Sequence, residues 1–300
     1  MKYSRDEHWE FLNAVYRHGE SRLLVELPES IIDATIACID SALDASSNRR
    51  WLQFAVRTPA ERSEVDRALA ATARLMSDAR IDAWWFMRKA PGLRVRWRGD
   101  QRFRPDLEAK RSSDIDSNTL SVLSAGVFEP ELLRFGGPSG AQVVESAFSA
   151  SSQLWADVCG KGGSDYSRVV LCVALFSSLF RGAGLDRGES ADVWLRVLKQ
   201  REPYPGVPEA CIAPQTINRL RWRVDDMQQS SIAAASSAFG SAGASLASFD
   251  TRGDLLFGIR EVLSWVVMFA MNQAGISVPT QAGLARAAIE ALIGEAPVDL

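Results

Sequence analysis

The sequence has little histidine and cysteine, and their positions limit the chemistry that is available. The only two histidines, His8 and His18, lie near the start of the 300-residue chain. The four cysteines are scattered through mainly apolar surroundings without a CxxC spacing: Cys38, Cys159, Cys172 and Cys211. This distribution excludes most metal sites and any histidine-paired nucleophile in the body of the chain. It favours buried free thiols over a redox pair.

Signals for nucleotide binding and for membrane insertion are also missing. The chain contains neither a GxxxxGKS nor a GxxxxGKT loop, and no GxGxxG turn follows a predicted strand. Its first residues, MKYSRDEHWEF, are too charged for a signal peptide, and its longest apolar run, VLSWVVMFAM, is too short to span a bilayer. We therefore expect a cytoplasmic protein that uses no metal, nucleotide or other cofactor and has no membrane partner.

Charge is nearly balanced overall but uneven along the chain. Lys and Arg number 34 against 37 Asp and Glu, which gives a formal charge of -3 and a pI near 5.6. This balance argues against a nucleic-acid partner, because neutralising many phosphates usually requires a basic domain. From Arg88 to Arg104, however, seven Arg or Lys stand against one acid, Asp100. Such a local cationic site indicates an anionic or peptide ligand.

The hydrophobic pattern predicts an α+β fold, with an antiparallel sheet in the N-terminal half and helices from the C-terminal half packed on it. At 47% hydrophobic residues, the chain is able to bury a core of one large or two smaller domains. Residues 1–48 form a predicted N-terminal extension, and 49–300 form the main domain. Within it, a strand is predicted at 51–57, a hairpin at 83–89 and 93–97, and a third extended region at 119–135.

Helices are predicted from apolar periodicity and from capping residues. Thr58 and Pro59 are expected to start a helix within 58–81. Asp186 or Ser190 is expected to cap the helix of 188–200. The Ala/Ser-rich stretch around 230–249 fits either a thin helix or a mobile surface segment, and composition does not decide between them. The remaining helices are predicted within 140–158, 166–184, 252–276 and 279–293.

A strand with alternating arginines is the first candidate functional feature. In LRVRWR (93–98), apolar side chains alternate with Arg94, Arg96 and Arg98, so a strand places the three guanidinium groups on one face. Arg88 and Lys89 belong to the preceding strand. One interpretation is a solvated outer face. The other is a binding site, because like charges two residues apart repel unless an anionic or buried group pairs them.

Two further stretches combine charged and polar side chains. In GVFEPELLRFGG (126–137), Glu131 and Arg134 are three residues apart, so one helical turn brings them together. This pair is either a structural ion pair or a general base beside an anion clamp. In the apolar stretch 252–276, Arg260, Ser264 and Asn272 are either satisfied core groups or the lining of a pocket.

Four stretches, in this order, resemble the C-terminal elimination domain of lantibiotic and thiopeptide dehydratases and the stand-alone enzymes built on the same fold. In that family a strand pair of the form FFIRY...PHLRLRF precedes YEPE..RYGG, then LDR.E..D.W, then a late helix with H.NR.G. The matching stretches here are WWFMRKAPGLRVRW (84–97), FEPELLRFGG (128–137), LDRGESADVW (185–194) and MFAMNQAG (268–275). The resemblance runs from about Trp51 to the C-terminus.

The resemblance implies one of two activities, neither of which uses a cofactor. Elimination domains remove an α-proton from a glutamylated Ser or Thr of a peptide and expel glutamate. Pyridine synthases instead join two dehydroalanines in a formal four-plus-two cycloaddition. The family's late-helix histidine is missing, since Met268–Met271 precede Asn272, and Gly92–Leu93 replaces the histidine of PHLRLR. The RK.PG turn is similar to that of pyridine synthases, whereas Gln273 replaces the usual arginine.

We therefore expect a stand-alone pyridine synthase that acts on a ribosomally made, azole-containing precursor peptide, beside other biosynthetic enzymes and as a monomer or homodimer. Loss of water and of the leader peptide then gives a pyridine macrocycle. The alternatives are a glutamate eliminase and a non-catalytic partner that binds the leader peptide, for which RLLVEL (22–27) is a predicted docking strand. The resemblance implies catalytic roles for Arg94, Arg96, Glu131, Arg134 and Ser264, and substrate binding by Arg88, Trp84, Trp97, Arg260 and Asn272.

Overall fold

The computed structural model describes residues 51–59, 61–99, 121–126, 128–201 and 230–294, of which 121–126 and 230 are described by their backbone alone. The predicted N-terminal extension and its docking strand lie outside these residues. Four strands are present in the described part: β1 Leu52–Arg57, β2 Ile81–Arg88, β3 Gly92–Gly99 and β4 Ser121–Gly126. The helices there are α1 Arg62–Met76, α2 Pro138–Gly160, α3 Asp165–Gly182, α4 Arg187–Lys199, α5 Ser230–Thr251, α6 Ile259–Ala274 and α7 Val278–Ile293.

The four strands form one antiparallel sheet in the order β2-β3-β1-β4. The predicted hairpin is confirmed as β2 and β3, in which Trp85 lies opposite Arg96. On the other side of β3, Gln53 of β1 lies opposite Arg96. Residues directly opposite each other in neighbouring strands share a face. Gln53, Trp85 and Arg96 therefore lie on one face of the sheet, and the predicted separation of arginines from apolar residues on β3 is confirmed.

Glycine is required where β1 and β3 meet at the hairpin. Gly92 has φ +141°, and a Cβ placed on it would lie 2.0 Å from the carbonyl oxygen of Val56. Since real side chains do not approach backbone atoms so closely, only glycine allows the two strands to pair at this end.

Helix α2 closes the open edge of the sheet at β2. The Ser149 hydroxyl of α2 accepts a hydrogen bond from the Trp84 backbone N–H at 3.1 Å and donates one to the Trp84 carbonyl at 2.8 Å. These bonds satisfy backbone groups that an edge strand otherwise leaves unpaired. Helix α5 packs against α2 and α3, while α4 packs against α6 and α7. The helices of the C-terminal half thus pack on the sheet through α2 and α6, both of which contact β2.

The Ala/Ser-rich stretch, which composition left open, is the helix α5. By length and composition alone it is the one helix in the described ranges that is able to cross a membrane, with a mean hydropathy of 1.2. Core helices of water-soluble proteins meet the same criteria. In α5, Ala235, Phe239 and Leu246 are fully buried against the rest of the fold.

Three details of the secondary-structure prediction were wrong. Thr58 does not cap α1, because its hydroxyl donates to the Pro59 carbonyl and the helix starts only at Arg62. The extended region of 119–135 ends earlier, since residues 132–136 form turns after β4. The stretch 252–276 becomes helical only at Ile259. Asp186 was predicted correctly, because it forms a capping box with Glu189 at the start of α4.

Candidate functional site

Arg96 is the buried centre of the arginine face. Only 5% of it is exposed, and its guanidinium carbon lies 4.1 Å from the centre of the Trp85 ring and 5.2 Å from that of Phe128. Its Nε donates to Gln53 Oε1 at 3.1 Å, while its Nη1 is buried without a hydrogen-bond partner in the described part of the chain. A buried guanidinium N–H without an acceptor is costly, so this group is suited to a ligand oxygen.

The surroundings of Arg96 lower its pKa. Burial lowers the pKa of Arg96 to about 10, because the apolar environment disfavours the cation. Among the charged neighbours, Glu131 and Glu145 raise this pKa, whereas Arg94 lowers it further. Arg96 is therefore still a cation at neutral pH, and two carboxyl groups lie within electrostatic reach of it.

Glu145 of α2 is the first of these carboxyl groups. It is 7% exposed, and the indole N–H of Trp51 donates a hydrogen bond to it. Burial raises the pKa of Glu145 from 4.5 to about 7, although Trp51, Arg96 and Arg98 act in the opposite direction. The carboxyl therefore changes charge near neutral pH, which is the property required of a general acid or base.

Arg98 also belongs to this group of side chains. A solvated outer face was one interpretation of the three arginines, but Arg98 is half-buried, and its guanidinium carbon lies 5.3 Å from the centre of the Trp51 ring. Its Nε is buried without a hydrogen-bond partner in the ranges that the structure describes. Within the described residues, Arg96 and Arg98 therefore each keep one buried N–H without an acceptor, and both interact electrostatically with Glu145.

The turn after Phe128 supplies the second carboxyl group. Arg134 Nη1 donates to Glu131 Oε2 at 2.9 Å, which confirms that the two predicted residues come together. The Phe135 N–H donates to the Glu131 carbonyl at 3.1 Å, so one helical turn fixes the pair. The Arg134 guanidinium carbon also lies 4.8 Å from the Trp265 ring of α6. The turn therefore joins the arginine face to α6.

The close packing behind this turn requires glycine. A Cβ placed on Gly140, in the first turn of α2, would lie 1.9 Å from the Phe135 carbonyl oxygen. Gly136 has φ +77°, a left-handed backbone conformation that residues with a side chain rarely adopt. These contacts hold the turn against α2.

We call Arg96, Arg98, Glu131, Arg134 and Glu145 the arginine–glutamate cluster.

The predicted aromatic residues lie elsewhere. Trp84 and Trp97 are buried and directly opposite each other on the sheet face away from Arg96. Trp84 stacks on Phe86 with 6.2 Å between ring centres. Trp85 is the tryptophan under the Arg96 guanidinium. Arg94 shares the face of Arg96 but is exposed, which leaves it accessible to a peptide.

Arg88 belongs to a separate buried network. Its Nη2 donates to Asp66 at 2.6 Å and its Nε donates to the Gln273 carbonyl at 3.1 Å. Arg168 donates to the other Asp66 oxygen at 2.6 Å and to the Ala274 carbonyl at 2.8 Å. Burial raises the pKa of Asp66, but Arg88 and Arg168 outweigh it and hold that pKa below its usual value. These contacts give Arg88 a structural role that joins β2 to α1, α3 and α6.

The polar residues of α6 lie toward α4 and α7. The Ser264 hydroxyl donates to the Glu261 carbonyl at 2.7 Å, and Gln200 is 3.4 Å from it. Asn272 Oδ1 accepts from Gln281 at 2.9 Å. Arg260 pairs with Asp192 at 3.3 Å on the surface. None of these described contacts brings Arg260, Ser264 or Asn272 to the arginine–glutamate cluster.

Glu145 was missed by the sequence reasoning although a signal for it exists. Ala141, Glu145, Phe148 and Ser152 follow each other at helical spacing, and all four are buried on α2. A glutamate on the apolar face of a predicted helix therefore marks a buried carboxyl. No group of three or more His, Cys, Asp or Glu side chains suited to a metal occurs among the residues that the structure covers.

Comparison with known proteins identifies the family. The model of the lantibiotic biosynthesis dehydratase C-terminal family matches residues 51–286. The chain belongs to this family. The predicted resemblance is thus confirmed, and so is the α+β fold. Family members take part in the maturation of ribosomally made peptides. A search of curated proteins finds no match.

Two solved structures are similar to this family member. One is the tRNA-dependent lantibiotic dehydratase MibB from Microbispora sp. 107891, with a TM-score of 0.54 and 18% identity over 79% of this chain. The chain spans only 28% of the length of MibB. The other is TsrL, with a TM-score of 0.45 and 13% identity, over 83% of this chain and 99% of TsrL. At these identities the likeness concerns the fold alone.

Proposed function

We propose that this family member is a pyridine synthase, which joins two dehydroalanines of an azole-containing precursor peptide. The observation that carries the proposal is the buried Nη1 of Arg96, which has no hydrogen-bond partner among the described residues, in one cluster with a carboxyl whose pKa is raised to about 7. A cyclisation site needs to bind, orient and polarise an amide, and these groups suit that task. The absence of histidine after His18 speaks against the family's histidine-dependent elimination.

In the proposed reaction, one amide next to a dehydroalanine is converted to its hydroxyl-imine tautomer, which is a 2-aza-diene. The second dehydroalanine adds across this diene, and two carbon–carbon bonds form. Loss of water and of the leader peptide as an amide then gives the aromatic pyridine. Arg96 donates a hydrogen bond to the carbonyl oxygen that must become a hydroxyl. Glu131 and Arg134 hold the network in place.

Peptide binding is assigned to the exposed part of the same face. Arg94 lies next to the cluster and is open to solvent, so it is suited to backbone carbonyls or leader carboxylates. Arg88, Ser264 and Asn272 are left out of the proposed chemistry, because their contacts join structural elements to each other. The leader-docking strand, the cytoplasmic location and the monomer or homodimer state stay predictions.

The proposal is tested by incubating the purified protein with a linear precursor peptide that carries two dehydroalanines. We expect mass spectrometry to detect the pyridine macrocycle together with the released leader amide. If no product forms with the precursor encoded next to its gene, the proposal is wrong. Leader binding without turnover in any mixture would indicate the non-catalytic binding partner instead.

Glutamate elimination is the second candidate, and Glu145 is the observation that favours it. An eliminase without the family histidine needs another base for the α-proton, and a carboxyl that ionises near pH 7 suits this role. A glutamylated peptide would then lose glutamate to give a dehydroamino acid. The rate of such an elimination rises with pH as Glu145 ionises, which makes the direction of the pH profile diagnostic.

A further inference from the structure

Glu145 lies on the face of α2 that packs against the arginine face of the sheet. It lies one turn before Phe148 on the buried face of α2, and the Phe148 ring centre lies 5.6 Å from that of Trp85, on which the Arg96 guanidinium stacks at 4.1 Å. The Trp51 indole, which lies 5.3 Å from the Arg98 guanidinium carbon, hydrogen-bonds to the Glu145 carboxyl. Each of these arginines keeps one buried N–H without a partner in the described part of the chain. A substrate carbonyl that accepted from these donors would lie on the side of the sheet that carries Trp85 and that α2 covers.

The other candidate groups in the described ranges are less suitable. Cys172 is fully buried, and burial raises its thiol pKa far above the usual value. Cys159 donates to Asp66 in the separate Arg88 network. Glu131 is held in the ion pair with Arg134. Of the two carboxyl groups in the cluster, Glu145 is thus the one that is not paired with Arg134.

We propose that Glu145 is a catalytic residue that transfers protons during formation of the aza-diene. This inference rests on the proposed pyridine synthase function. The carboxylic acid gives its O–H proton to the amide carbonyl oxygen, while its other oxygen takes the proton from the amide nitrogen. The N–H bonding pair becomes the C=N π bond, and the C=O π pair forms the new O–H bond. Glu145 ends as a neutral carboxylic acid, with its proton on the other oxygen.

The electrostatics of the cluster support this role. The step needs the protonated carboxyl, and burial raises the pKa of Glu145 to about 7 against the opposing effects of Trp51, Arg96 and Arg98. Glu131 raises the pKa of Arg96, and Arg94 lowers it. A substantial fraction of Glu145 is therefore protonated at neutral pH, and the activity falls as the pH rises above 7.

The test compares wild type with Glu145→Gln and Glu145→Asp, using the full chain and the bis-dehydroalanine peptide across a range of pH. We expect Glu145→Gln to lower kcat at least about 100-fold, as is typical for loss of a general acid–base group. Glu145→Asp keeps an acid and is expected to retain the fall of activity at high pH at a lower rate. Circular dichroism melting confirms that each variant is folded.

The matched control is Glu61→Gln, since Glu61 is exposed and makes no capping hydrogen bond at the start of α1. If wild type forms the pyridine and Glu145→Gln keeps the rate and pH profile of Glu61→Gln, the catalytic role of Glu145 is wrong while the proposed function stands. If wild type forms no pyridine, both fail. A rate that rises with pH through 7 also contradicts the role, because the step needs the neutral acid.

Discussion

Arg96 and Glu145 are both buried, yet burial affects their charges differently. Arg96 has an ordinary pKa so high that a reduction to about 10 leaves it a cation at neutral pH. The rise of the Glu145 pKa to about 7 places its titration in the neutral range. At the scale of single residues, the cluster therefore combines a permanent hydrogen-bond donor with a group that gives and takes protons.

The raised pKa of Glu145 predicts that stability falls as the pH rises. Between about pH 4.5 and 7 the folded protein keeps a proton that the unfolded chain has lost, so folding becomes less favourable across this range. A shift of this size corresponds to roughly 3 kcal/mol. Glu145→Gln cannot ionise, and we expect its free energy of unfolding to lose this dependence. Urea unfolding at about pH 5 and about pH 8 measures the difference.

The control for this experiment is again Glu61→Gln, whose side chain is exposed at the start of α1. It is expected to follow wild type at both pH values. Equal pH dependence of unfolding in wild type and Glu145→Gln would show that the carboxyl does not titrate near pH 7 in the folded protein.

At the scale of secondary structure, local patterns were predictable and long-range contacts were not. The alternation in LRVRWR gave β3 and its arginine face correctly, because a strand repeats every two residues. The Glu131–Arg134 pair followed from i,i+3 spacing. The burial of Arg96 depends on Trp85 and on α2, which is more than forty residues away in sequence. Its electrostatic interaction with Glu145 of α2 also had no local pattern.

Arg88 shows the same limit from the other side. Its position on β2 was predicted, but its partners are on α1, α3 and α6, and only the folded chain brings them together. From the sequence alone, Arg88 was therefore predicted to bind substrate, because it is a cation next to a candidate site. Asp66, which binds both Arg88 and Arg168, gave no signal in the sequence.

This network predicts a large stability effect for Asp66→Asn. The substitution removes the charge that pairs with two buried arginines, and an uncompensated buried charge costs about 3–5 kcal/mol. We expect the free energy of unfolding, measured with urea, to fall by this amount. The matched control is Asp165→Asn, because Asp165 pairs with Arg62 at an exposed position where loss costs less than about 1 kcal/mol. Equal effects of the two substitutions would contradict the structural role.

At the scale of the whole molecule, the chain has the fold of its family but contains no histidine after His18. In the late helix α6, the residues before Asn272 are the buried apolar Met268–Met271. The family pattern described above has a histidine in this stretch. The arginine–glutamate cluster consists of a carboxyl from α2, two arginines from β3 and an ion pair from the turn before α2. We propose that, on this fold, the cluster polarises an amide during cyclisation of a precursor peptide.

The most direct test of this account is the effect of Arg96→Lys on conversion of the bis-dehydroalanine peptide, followed by mass spectrometry. Lysine keeps the charge but loses the planar guanidinium that stacks on Trp85 and whose Nη1 has no partner in the part of the chain that the structure describes. We predict at least about 100-fold slower formation of the pyridine and leader amide. The control Arg181→Lys, at an exposed position at the end of α3, should match wild type. Equal rates in Arg96→Lys and wild type would contradict the account.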